Sequence, residues 1–318
     1  MMNIFLDAQI WLSIYDFSND NLEQFSKLKD LVNKDVSIYL TQQVWDEVIR
    51  NRENKIKEAL NKFREINIQI PNLCKGYDEY KVFQKTLNNV QILHKDFLKK
   101  IENDITTNNL HSDKLIFEIF TKSKYLSRTD EIVKKAILRY DIGNPPGKDK
   151  SYGDAINWEI LLENVLSGED LFFISSDKDY KSVLDDNRFN QYLFTEWTNN
   201  KKSNLFYYKS LTEYFKLHLK HIELKTETQK NELIEELGRC GTFAATHSII
   251  AKLSMFSTYS DEQIIQLLQA ADMNNQVWAI IKDPDIKTFY DTLLKDNVDK
   301  YFENTELNWI LERLGYSK

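Results

Sequence analysis

Acidic residues stand at the points where this chain changes character. The apolar run Ile4-Phe5-Leu6 closes on Asp7, and the run "LFFISS" (171–176) is followed at once by Asp177, with Asp179 two residues on. Glu47 lies in the second turn of a helix that follows the apolar run "VSIYL" (36–40), and Asp154 lies in the first turn of a helix that follows a Gly/Pro loop. A buried carboxylate without a partner is costly. Several that converge raise one another's pKa unless a cation is present. Oxygen donors of this kind suit Mg²⁺ or Mn²⁺. Asp177 is nearer the end of its apolar run than Asp179, which is expected to act through water. Basic and hydroxyl residues flank the acids. Arg50 and Arg52 follow Glu47 by about one turn. Lys148 and Lys150 precede Asp154 on the loop, and Ser175 and Ser176 precede Asp177. They are candidates to contact a phosphate or a cation-held water. Each acid also has a plainer role: Asp7 as a helix cap, Asp154 as a helix N-terminal charge, Glu47 as a surface residue. Asp46 stands four before Arg50, the spacing of a helical ion pair. Glu159 points about 140° away from Asp154 on a helix and is left out of the set.

The elements that must position these residues can be read from periodicity and punctuation. Residues 3–7, 36–40, 170–176 and 203–210 read as short buried strands. Residues 21–34, 41–63 (with Thr41 as N-cap), 154–166 and 211–221 read as helices. With only 8 Gly and 4 Pro in 318 residues, helices should be long and connections short. Two of those prolines and three of the glycines fall in "GNPPGKDKSYG" (143–153). Buried strands alternating with helices predict an α/β fold, a small parallel sheet flanked by helices. Ligands of such sheets bind beyond the carboxyl ends of the strands. That edge is where the acids are expected to gather. Residues 77–140 read as helical by pattern and are long for a single crossover, so part of this stretch (about 77–140) is expected to be a helical insert. After residue 222 only helices are expected, one of them opened by a capping box of Ser260 and Gln263. The predicted division is a domain of 1–222 and an all-α domain of 223–318.

Composition narrows the function. Residues 1–222 carry 32 Lys and Arg against 33 Asp and Glu; residues 223–318 carry 10 against 16. The acidic C-terminal part is a poor grip for nucleic acid; its apolar helical stripes suit packing, self-association or a protein partner. No apolar stretch approaches the roughly 20 residues of a membrane helix, and no secretory signal is expected at the N-terminus. Cys74 and Cys240 match no zinc or redox spacing and are expected as reduced, buried thiols of a cytoplasmic protein. No Walker loop, Rossmann fingerprint or Ser-His-Asp order is present.

In order, "FLDAQIW", "VWDEVIRN", "GDAINWE" and "FISSDKDY" resemble the motifs of PIN-domain nucleases, over about residues 1–222, and are most similar to larger bacterial members with a helical extension. The resemblance implies Asp7, Glu47, Asp154 and Asp177 as catalytic ligands of Mg²⁺ or Mn²⁺. It implies hydrolysis of a phosphodiester, usually in RNA, to 5′-phosphate and 3′-hydroxyl ends, in a toxin, defence or RNA-processing setting. Where that family usually has Asp-x-Asn, this chain has Asp7-Ala8-Gln9; Gln9 keeps the amide but reaches one methylene farther. Two other readings follow from the same residues: a PIN-like binding or scaffold protein without activity, and a nuclease directed to DNA.

Overall fold

The computed structural model describes residues 1–16, 18–64, 68, 70–147, 152–219, 224–295 and 298–317. The chain forms two compact units, one of Met1–Phe17 with Phe25–Lys220, the other of Ser18–Gln24 with His221–Lys318.

The first unit is built on a five-stranded parallel sheet in the order β3-β2-β1-β4-β5. Its strands are β1 (Met2–Leu6), β2 (Val36–Thr41), β3 (Lys124–Leu126), β4 (Leu171–Ile174) and β5 (Leu205–Tyr208). Every residue of β2 and β4 is buried, as is the second half of β1. This is the continuous apolar pattern of strands covered on both faces. The helices of this unit are α1 (Ala8–Leu12), α2 (Asn19–Leu31, whose residues from Phe25 on belong here), α3 (Gln42–Arg64), α4 (Tyr80–Thr106), α5 (His111–Lys122), α6 (Asp130–Asp141), α7 (Gly153–Asn164), α8 (Gln191–Lys201) and α9 (Leu211–His218); α4 is mostly exposed, with Leu87 its buried residue. Large rings fill the interface with the sheet. Trp158 of α7 packs on Phe173, Phe189 and Trp197, and Trp11 of α1 packs on Phe25 and Phe120.

Strand order decides where a ligand can sit. From β1 the chain winds outward through β2 to β3, then returns to place β4 on the other side of β1 and continues to β5. Helical connections leave β1 and β4 in opposite directions, so a crevice opens beyond their carboxyl ends. The register puts Leu6 beside Ile174, and the Asp7 N–H donates to the Ile174 carbonyl at 3.0 Å. Asp7 therefore leaves the sheet directly beside Ser175.

Two expectations need correction. Residues 77–140 are not helical throughout, because β3 extends the sheet from within them by pairing with β2. β3 has three residues, Lys-Tyr-Leu, mostly exposed on the sheet edge, which is too short and too polar to give an apolar alternation. Cys74 and Cys240 are half-buried rather than buried.

The second unit is helical: α10 (Lys225–Arg239), α11 (Phe243–Leu253), α12 (Asp261–Met273), α13 (Asn275–Ile280), α14 (Pro284–Leu294), α15 (Val298–Tyr301) and α16 (Asn308–Leu314). They enclose an apolar core that includes Leu237, Leu253, Leu267, Leu268, Tyr290 and Leu311. The Ser260–Gln263 capping box opens α12 as its sequence predicts. Lys230 is fully buried in this unit, between Asp20 and Glu227, under the rings of Phe256 and Tyr259. Among the described residues no helix is long and apolar enough to cross a membrane.

Candidate functional site

Asp7 follows β1 and is 3% exposed. It caps α1, accepting from the Ala8 N–H at 2.8 Å, so the plainer role expected of it is real. Its other oxygen accepts from the Ser175 hydroxyl at 2.9 Å. Ser175 is itself fixed, because its Oγ accepts the Asp177 N–H at 3.0 Å. The turn after β4 is thus tied to the carboxylate after β1 by one hydroxyl. Gln9 completes the join: its Nε2 donates to Asp177 at 3.1 Å and its Oε1 accepts from the Ser176 hydroxyl at 3.3 Å. The longer side chain in place of Asn still spans the gap. Asp179 donates its N–H to Asp177 at 2.9 Å.

Glu47 and Asp154 arrive from α3 and α7. Thr41 ends β2 and accepts the Val44 N–H as the N-cap of α3. Its hydroxyl donates to Asn157 of α7 at 2.5 Å, which fixes the two helix starts against each other. The approach is so close that a side chain on Gly153 would collide with the Glu47 carboxylate. This accounts for glycine at the first position of α7. Asp154 accepts from the buried Tyr180 hydroxyl at 3.0 Å. Glu47 accepts from Gln43 Nε2 at 2.6 Å, and Gln43 Oε1 accepts from Arg128 at 2.5 Å. A guanidinium only donates. The Gln43 amide is therefore oriented with its donor toward Glu47.

Electrostatics show that these acids feel one another. Burial pushes Asp7 up to about 8, and the Asp154 charge adds to the effect, followed by that of Glu47. Burial likewise pushes Asp154 up to about 7, with contributions from the charges of Asp177, Glu47 and Asp179. Glu47 is raised by burial and by Asp177 and Asp46, against the opposing pull of the Gln43 amide and Arg50. The structure thus brings Asp7, Glu47, Asp154, Asp177 and Asp179 to one edge of the sheet. The donor set is all oxygen, with like charges held together, and its chemistry fits a hard divalent cation. Among the described residues, no three acidic, His or Cys side chains stand as a ready-made metal cage.

The basic candidates divide. Arg50 is exposed and close enough to Glu47 to lower its pKa. Arg52 turns inward. It forms a two-pronged ion pair with buried Asp113 at 2.6–2.7 Å and also donates to the Ile105 carbonyl, so its charge is committed inside the fold. Lys148 and Lys150 lie outside the described residues. Asp46 pairs with Arg128 at 3.0 Å rather than with Arg50, because the same guanidinium that orients Gln43 is within its reach. Glu159 pairs with Arg139 at 2.6 Å.

Sequence reasoning missed Gln43, Arg128, Tyr180 and Gly153. Gln43 stands four before Glu47, a spacing that places it on the same helix face. The "GDA" run put a glycine beside Asp154. Arg128 and Tyr180 carried no signal.

A family model described as PIN domain matches residues 4–180, more than half of the chain. Neither a curated protein nor a solved structure matches it.

Proposed function

This chain belongs to the PIN-domain family, and from that premise we propose that it is a metal-dependent phosphodiester hydrolase acting on nucleic acid, foremost an endoribonuclease. The observation that carries the reading is the meeting of Asp7, Glu47, Asp154 and Asp177 at the point where the winding of the sheet reverses, with burial and like charge driving three of them upward. These four, with Asp179 beside them, are the proposed ligands of Mg²⁺ or Mn²⁺. When bound, such a cation supplies charge neutralisation for a phosphodiester and a water acidic enough to attack near neutral pH.

The chain's own groups divide the remaining work. Ser175 and the Ala8 N–H aim Asp7; Tyr180 aims Asp154; Gln43, oriented by Arg128, aims Glu47. Gln9 holds Asp177 and joins Ser176 at the open side of the cluster. Gln9 is therefore engaged in the site, which weighs against an inactive scaffold. Arg50 is the proposed phosphate contact, being exposed beside Glu47. The toxin, defence or RNA-processing setting and a cytoplasmic location remain part of the proposal. The second unit is proposed as a surface for self-association or a protein partner; it exposes Met273 and Trp309.

The test is cleavage of end-labelled single-stranded RNA and DNA by the purified chain with Mg²⁺, with Mn²⁺ and with EDTA, beside Asp7→Asn. Cation-dependent cutting of RNA to 5′-phosphate ends, lost in the variant, is the expected result. Cutting of DNA alone would move the substrate. No cutting of either would return the chain to the scaffold reading.

A further inference from the structure

The face of α3 that offers Glu47 continues past it. Asn51, Asn54, Lys55 and Glu58 follow four, seven, eight and eleven residues later, spacings that keep them on one side of the helix. They wall a cleft of about 550 Å³ whose opposite side includes Gln9, Ser13, Asp16 and Ser176. Gln9 and Ser176 also belong to the carboxylate cluster, so the cleft begins where the acids end. At about 1.5 Å rise per residue, Asn51 and Asn54 stand roughly 6 and 10 Å along the helix from Glu47. A nucleotide next to a phosphate held at the acids would lie within that span.

The chemistry of the lining excludes a phosphate as the occupant. Its formal charges are Asp16 and Glu58 against Lys55, and Lys55 is already within 3.6 Å of Glu58. What remains is neutral: Leu12; the Ser13 hydroxyl, which donates to the Ile10 carbonyl; Gln9 and Ser176, which bond to each other, Gln9 also donating to Asp177; and the amides of Asn51 and Asn54, each with donors and an acceptor. Asn51 is half-buried and Asn54 exposed. Neither has a side-chain hydrogen bond among the described residues. A nucleobase edge presents the complement, donors and acceptors without charge. Such an edge is available for side reading only when the base is unpaired and out of the stack.

We propose that this cleft holds one unpaired nucleobase adjoining the phosphate at the carboxylates, and that Asn51 and Asn54 read it, making the chain base-selective. This rests on the nucleic-acid reading above and adds to it a determinant of specificity. Amide contacts to a base edge discriminate about 5- to 100-fold against the wrong base.

The experiment measures binding of fluorescein-labelled RNA hexamers of A, C and U to the full chain in Ca²⁺ buffer by anisotropy. The comparison is with Asn51→Ala/Asn54→Ala and with Asn54→Asp, whose melting curves verify the fold. Wild type should favour one base at least fivefold. The double alanine variant should bind all three within about twofold, and Asn54→Asp, having lost its donors, should change the order of preference. Equal or absent binding by wild type, or a preference that survives both variants, overturns the proposal. Base-selective binding with no cleavage in Mg²⁺ or Mn²⁺ would remove the hydrolase reading and leave this one standing. Cleavage without base preference would do the reverse.

Discussion

Replacing Asp7 by Asn should stabilise the protein in the absence of divalent cations. The carboxyl is raised from 3.8 to about 8 by burial first and by Asp154 second. The folded chain thus holds this proton more tightly than the unfolded chain does. The resulting advantage is whole below the ordinary Asp range and is eroded as pH rises toward about 8. At about 1.4 kcal/mol per pH unit, a shift of about four units costs the fold on the order of 5 kcal/mol at pH 8 relative to a neutral side chain. Asn recovers part of this. Its Oδ1 can accept the Ala8 N–H, and its Nδ2 can donate to Ser175 Oγ, at some loss of geometry. With about 1–2 kcal/mol deducted for that loss, a net gain of about 3 kcal/mol remains. For a unit of this size that is roughly 6–10 °C in Tm. The assay is a fluorescence-monitored melt of wild type and Asp7→Asn in EDTA from pH 4 to 9. The gap between the two should be small at pH 4, widen with pH, and level off near 8. Mn²⁺ should raise the Tm of wild type and leave the variant nearly unmoved. A variant that melts lower at every pH, or a gap independent of pH, would refute the reasoning and make Asp7 a structural cap.

Other changes follow from the same geometry. Gly153→Ala should cut cleavage at least tenfold although alanine is the better helix former by about 0.5–1 kcal/mol; a rate at wild-type level would mean that Glu47 moves aside freely. Gln43→Glu should weaken Mn²⁺ binding more at pH 6 than at pH 8, because a second carboxylate beside Glu47 raises its proton affinity; calorimetric titration at both pH values checks this. Arg52→Ala should cost about 3–5 kcal/mol in a urea melt, since it strands buried Asp113; unchanged stability with weakened RNA binding would put Arg52 back among the phosphate contacts.

Much of the site was legible because acids that close apolar runs are conspicuous. Asp7 and Asp177 could be placed at one sheet edge from strand ends alone, and Asp154 and Glu47 from helix starts. Arg52 could have been read correctly. Val44, Val48, Ile56 and Leu60 form a buried stripe at every fourth residue of α3, and Arg52 occupies the missing step, whereas Arg50 lies off it. An arginine on an apolar stripe needs a buried acid, here 61 residues away in Asp113, and no local pattern names such a partner. The same separation hid Arg128, whose contacts with Gln43 and Asp46 span 85 and 82 residues. β3 escaped because three edge residues carry no period.

The reversal of winding around β1 also has a consequence in time. β1 is made before the other strands, and β2 can pair with it early. Its other neighbour, β4, comes with Ser175, 168 residues after Asp7. At about 5–20 residues per second, roughly ten to thirty seconds of synthesis separate the first acid from the hydroxyl that aims it. A nascent chain stopped before residue 170 should therefore bind no Mn²⁺ at these acids, and one released after β5 should. The cluster of acids is therefore assembled only after more than half of these residues have been made.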